Sequence, residues 1–197
     1  MGCGKSSVGR RLSELLCCPF MDLDQVIEER AGRTIPEIFS QDGEPAFRQM
    51  ELNALKQVIS EGWSKTKSLP LRGPLPLAGG GKMPLPYNRQ TDKRPQDSES
   101  LILAMGGGAV MTPECAEIVR SETMCIYLRG SSDTLMEHLE GKTENRPLLQ
   151  DKPALRDRIT ELMAERSATY VKTAHVIIDI DGKSIEAVAS EIISILR

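Results

Sequence analysis

The chain predicts an α/β fold with a mostly parallel sheet. Three observations carry that prediction. Short apolar runs of strand type alternate with helical segments along the 197 residues. The segment Gly2-Cys3-Gly4-Lys5-Ser6-Ser7 is the right-hand end of a phosphate-binding loop, G-x-x-x-x-G-K-[ST]. An amphipathic helix follows it directly, and then a strand that runs into Asp22-Leu23-Asp24.

Each element has its own signal. Val8, Leu12, Leu15 and Leu16 recur at helical spacing, and Pro19 ends that helix. Pro19 to Asp24 reads as a short strand. Asp24 to Ala31 reads as a helix that Gly32 stops. A short helix is expected over Ile35–Ser40. A longer one is expected over Gly43–Ile59, with Phe47, Leu52, Leu55, Val58 and Ile59 on one side. Leu101 to Met105 is a buried-strand run that opens into Gly106-Gly107-Gly108. Thr112-Pro113-Glu114 starts a helix, with proline at its first position. Met124–Leu128 and Val176–Ile180 read as strands. Asp133–Leu139, Pro153–Tyr170 and Ser184–Leu196 read as helices.

Between the two halves the character changes. Gly62 to Ser98 holds six of the twelve prolines and five of the sixteen glycines and has no sustained period, so it reads as a flexible insertion. A wrongly predicted coding segment reads the same way. Within it, Gly79-Gly80-Gly81-Lys82 imitates a phosphate loop, but prolines flank it and no helix follows. The domain expected is therefore one unit built from residues 1–61 and 99–197, with 62–98 inserted and 141–152 as a lid segment.

Composition narrows the class. A 40% apolar and 27% charged chain is ordinary for a soluble globular domain. A net charge of -3 carries no nucleic-acid footprint, and no apolar run approaches a membrane span, so neither partner is expected. The five cysteines lack metal-ligand spacing and read as reduced thiols in a cytoplasmic setting.

The chemistry is carried by scattered polar residues. Glycines let backbone N–H groups face phosphate oxygens, and the helix behind them adds its positive end. Lys5 can reach the outer phosphates and the Ser6 hydroxyl can ligate Mg²⁺. A glycine-rich tail with a chance lysine is the weaker alternative. Asp22 and Asp24 lie where open α/β sheets bind ligands: one could support Mg²⁺ through water, and the other could accept a substrate hydroxyl's hydrogen bond. Asp24 as a plain helix cap is an equal alternative on this ground alone. Arg48 and Arg166 suit an anionic substrate such as a carboxylate. For Arg48 the plainer alternative is a solvated helix arginine paired with Glu44 or Glu51. Three glycines after a buried strand suggest backbone pressed close to a ligand. Arg146, in the polar lid segment, could neutralise charge on a moving phosphoryl group. Arg166 and Tyr170 share a helix face at i and i+4.

The ordered set G-x-G-K-S, F-x-D-x-D-x-x-I-E, I-F-x-x-x-G-E-x-x-F-R-x-x-E, G-G-G-x-V, R-P-L-L and E-R-x-x-x-Y-x-x-A resembles the shikimate kinase family across the chain except for the insertion. The resemblance implies a P-loop kinase three-layer fold with parallel strands in the order 2-3-1-4-5 and a mobile lid. It implies ATP-dependent phosphorylation of the shikimate 3-hydroxyl, with ATP and Mg²⁺ as cofactors, shikimate as the partner molecule, and a cytoplasmic monomer. By position it implies ATP contacts at Gly2, Cys3, Gly4, Lys5, Ser6, Ser7, Arg146 and Lys183, and Mg²⁺ support from Ser6 and Asp22. Shikimate would be held by Asp24, Arg48, Gly106, Gly107, Gly108 and Arg166, and Asp24, Lys5 and Arg146 would be catalytic.

The chain departs from the family pattern in three ways. The first strand and the leading loop glycine would stand upstream of Met1, so a start upstream is expected, and an organelle-targeting leader stays possible there. The insertion is the second departure. His138 in place of an arginine near the adenine is the third. Two other readings remain at this point: another P-loop metabolite kinase, such as a gluconate kinase, and a truncated non-catalytic module.

Overall fold

The computed structural model describes residues 2–65, 100–140 and 152–196. Helix α1 (Lys5–Leu16) leads into β1 (Phe20–Asp22), α2 (Leu23–Ala31) and α3 (Ile35–Lys65). After the insertion come β2 (Ile102–Ala104), a 3-10 turn (Ala109–Met111), α4 (Pro113–Glu122) and β3 (Ile126–Arg129). Helices α5 (Ser132–Glu140) and α6 (Lys152–Thr173), strand β4 (Val176–Asp179) and helix α7 (Ile185–Leu196) complete the described residues.

All pairings are parallel, as the alternation of strands and helices requires. Strands β1 and β2 pair with Phe20 opposite Ile102 and Asp22 opposite Ala104. Strands β3 and β4 pair with Ile126 opposite Val176 and Arg129 opposite Asp179. Among the described residues no ladder joins these two sheets. Helix α1 bridges them instead. It packs on β1, β2 and α7, and its Val8 and Leu12 share an apolar cluster with Leu128 and Ile178 of the second sheet. A second cluster joins α2, α3 and α4 around Leu23, Ile38, Leu55 and Val119.

Three expectations need correction. Helix α1 buries Val8, Gly9 and Leu12, whereas Leu15 and Leu16 are exposed. The helix stops at Cys17, whose left-handed φ of 51° closes it before Pro19 is reached. The two helices expected over 35–59 are one helical run, α3. Within it Gly43 takes a left-handed φ of 80°, two residues before Pro45, which supplies no N–H to the ladder. Strand β1 ends at Asp22, so Asp24 lies in the first turn of α2 and not at the end of the strand expected over Pro19 to Asp24.

Gly9 shows how tightly α1 sits on the first sheet. A Cβ there would lie 2.6 Å from Phe20 Cε2, with Ile102 Cγ2 3.5 Å away. Gly9→Ala gains about 1 kcal/mol of helix propensity, but overpacking costs about 1–3 kcal/mol. A lower thermal midpoint is expected; an unchanged or higher one would show that the Phe20 ring yields freely.

Candidate active site

The phosphate loop is shaped by its glycines. Gly4 caps α1 with φ 71°, a conformation that favours glycine, and places Lys5, Ser6 and Ser7 in the first helical turn. The first N–H groups of α1 therefore face outward with the helix dipole behind them. Lys5 Nζ approaches only Cys3 Sγ, at 3.8 Å, and pairs with no described carboxylate. The loop is braced from α5. A Cβ on Gly2 would meet the Leu135 carbonyl at 2.9 Å, and His138 Nδ1 lies 2.8 Å from the Gly2 carbonyl, so His138 serves here as a loop contact.

Asp22 joins the loop to the next element. Its Oδ2 accepts the Ser6 hydroxyl at 2.6 Å, and its Oδ1 caps α2 through Asp24 N–H at 3.2 Å. The helix-cap role considered for Asp24 thus belongs to Asp22, and the Asp24 carboxylate is free for other work. It is half-buried, and burial, then the neighbouring Asp22 charge, push its pKa above the ordinary 3.8; the Lys5 and Arg48 charges oppose that rise. Asp24 therefore stands within electrostatic reach of both the phosphate loop and Arg48.

The triple glycine forms the floor. A Cβ on Gly106 would lie 2.7 Å from Asp24 Oδ1 and 2.9 Å from Glu51 Oε1. On Gly108 it would lie 2.5 Å from both Arg48 terminal nitrogens. Glycine is required here for close approach. Arg48 donates from Nη1 to Glu51 Oε2 at 2.6 Å and from Nη2 to Glu44 Oε1 at 2.9 Å. Both partners considered for Arg48 are therefore real, but Glu51 is only 1% exposed, so this is no solvated surface pair. Burial pushes the Glu51 carboxyl up, and the Arg48 bond pulls it down. Beside it, burial and the Glu51 charge raise the Cys115 thiol to about 11, which makes it inert.

Helix α6 brings the second arginine. Arg166 is partly buried and makes no hydrogen bond or ion pair with a described residue. Tyr170, one turn on, donates its hydroxyl to the Gly107 carbonyl. Lys183 lies after β4 and its Nζ is paired with Glu191 Oε2 at 2.6 Å. Arg146 and the 141–151 part of the lid segment lie outside the described residues, as do residues 66–98 of the insertion and Glu99.

Glu51 and the loop-bracing role of His138 were not legible as site features. A signal existed for Glu51, since it stands three residues after Arg48 on one helix face. Its burial depends on α4 and the glycine floor, which no local pattern reports.

The arrangement has a carboxylate within electrostatic reach of a lysine at a helix N-terminus, which pairs with no described carboxylate, and of a held arginine over a glycine floor. That suits transfer of a phosphoryl group to a hydroxyl of a small anionic molecule. The family profile described as shikimate kinase matches residues 1–65 and 89–197. A shikimate kinase of Dictyoglomus turgidum is 32% identical over 199 residues, covering 100% of this chain and 93% of that protein. One from Thermus thermophilus is 32% identical over 193 residues, covering 98% and 84%. Among solved structures, shikimate kinase from Acinetobacter baumannii in complex with shikimate superimposes with TM-score 0.73 at 28% identity, covering 100% of this chain and 88% of that one.

Proposed function

The chain belongs to the shikimate kinase family, whose members phosphorylate shikimate with ATP, and we propose that the group it phosphorylates is the 3-hydroxyl. The observation that carries this reading is the position of Asp24, which feels Lys5 on the nucleotide side and Arg48 on the other. Asp24 accepts the proton of the attacking hydroxyl. That oxygen bonds to the γ-phosphorus of ATP as the bond from phosphorus to the bridging oxygen breaks, and ADP leaves. Its raised pKa suits a general base.

Gly2, Cys3, Gly4, Lys5, Ser6 and Ser7 cradle the phosphates, with Lys5 balancing their charge. Arg146 joins from the lid, and Lys183 lies toward the base. Arg48, held by Glu51 and Glu44, meets the substrate carboxylate together with Arg166, and Gly106, Gly107 and Gly108 admit the ring. The donor set also fits Mg²⁺. Ser6 and Asp22 offer hard oxygens 2.6 Å apart, and the described residues hold no cluster of three metal-ligating side chains. Mg²⁺ keeps most of its waters and takes phosphate oxygens, so a two-residue site suits it. When bound, the ion neutralises phosphate charge.

The domain read as 1–61 and 99–197, with 62–98 inserted and 141–152 as lid, belongs to the same proposal. It extends to a cytoplasmic monomer, and the five free thiols accord with a reducing compartment. No helix among the described residues is long and apolar enough to cross a membrane.

The test is release of ADP from ATP–Mg²⁺ by the purified chain, with shikimate or gluconate as acceptor. Shikimate-dependent release with phosphate on the 3-oxygen is expected. Release with gluconate alone, or phosphate on another oxygen, would overturn the reading.

A further inference from the structure

We propose that Tyr170 is a positioning residue that sets the distance between the two substrate arginines by pinning helix α6 to the glycine floor. The inference rests on the reading of Arg48 and Arg166 as the pair that holds the substrate carboxylate. Within the glycine turn, the Gly106 carbonyl takes Ala109 N–H and the Gly108 carbonyl takes Met111 N–H. The middle carbonyl, of Gly107, is left over, and among the described residues its partner is the Tyr170 hydroxyl. The Tyr170 ring is steadied from the second sheet by Tyr127, with centroids 5.1 Å apart.

The link matters because of what lies at its two ends. Gly108 lies against the Arg48 guanidinium and Gly106 against Asp24 and Glu51, so the floor is locked to one side of the site. Arg166 lies one turn before Tyr170 on the same face of α6. Its own side chain has no described partner to hold it, so its placement depends on where the helix sits. Helix α6 otherwise rests on α5, α4 and the 3-10 turn after the floor. Arg120 of α4 donates to the Lys172 carbonyl at its far end. The tyrosine bond is thus the described tie that runs from the arginine-bearing turn to the floor beneath Arg48.

Tyr170→Phe keeps the ring and removes the bond. The shikimate KM should rise about three- to tenfold, the range one net hydrogen bond supplies. The ATP KM should change little, and the melting temperature should fall by about 2–4 °C, because the bond is already present without substrate. In an Arg166→Ala background, the same substitution should add no further loss of shikimate affinity by titration calorimetry, because the two changes act on one interaction. An unchanged shikimate KM, an equal rise in both KM values, or an undiminished effect without Arg166 would each overturn the proposal. A native chain that releases no ADP with shikimate overturns the functional reading itself. An active native chain with a silent Tyr170→Phe overturns only the positioning role.

Discussion

Asp24→Asn is expected to lower turnover by about two to four orders of magnitude, to leave ATP–Mg²⁺ binding in place, and to raise the melting temperature at pH 7. The activity loss follows because the amide cannot take the hydroxyl proton. The stability gain follows from the same environment that tunes the base. Burial, then Asp22, place the folded-state pKa above the ordinary 3.8. Between those two values the folded chain binds a proton that the unfolded chain has lost, so stability falls as pH rises through that window. Above the folded pKa the ionised carboxylate costs stability in full; below 3.8 both states are protonated and the cost disappears. Asparagine removes the charge and keeps the shape. The gain should therefore be present at pH 7 and absent near the acid end. Turnover close to that of the native chain, or a lower midpoint at pH 7, would sink the role assigned to Asp24.

Arg48→Met should raise the shikimate KM by more than about tenfold, the loss expected when a charge-assisted pair disappears. It should also destabilise the fold at neutral pH by about 3–5 kcal/mol, the range for a buried charge that loses its partner. Glu51 is the reason. At 1% exposure its charge costs stability unless a cation stands beside it. Burial already pushes its carboxyl up, and the Arg48 bond and charge are the influences pulling it down. In the variant the carboxyl rises further, so the penalty is complete above that pKa and is relieved as protonation sets in below it. Arg48→Lys will not restore the native state, because one point charge cannot bridge Glu51 and Glu44 as the guanidinium does. Urea unfolding at pH 5 and pH 8, beside the two KM values, checks both parts. Equal stability losses at the two pH values would refute the assignment of Glu51.

Much of the architecture was legible because it rests on local signals. The Gly4-Lys5-Ser6 turn, the proline start of α4 and the strand–helix alternation each state their geometry within a few residues. The floor was legible for the same reason, since three glycines directly after a buried strand point to close approach, unlike the proline-flanked glycines of the insertion. What escaped depends on distant packing. Gly43 and Pro45 are ordinary stop signals, and α3 runs through them because its two ends lie in one apolar cluster with α2 and α4. Asp24 slid from strand to helix because Asp22 took the cap. Tyr170 and Arg166 could be placed on one face from their spacing, but the carbonyl that Tyr170 holds is 63 residues away in sequence.

Helix α1 has a double allegiance. Its first turn presents the N–H groups of the phosphate loop, and its second and third turns are the wedge shared by two sheets that no ladder joins among the described residues. A phosphate group settling on that first turn thus presses on the interior as well as on the surface. Amide protons at Leu128 and Ile178, far from any bound phosphate in sequence, should exchange more slowly when nucleotide is present. The chain's interior order and its hold on ATP are two readings of one equilibrium.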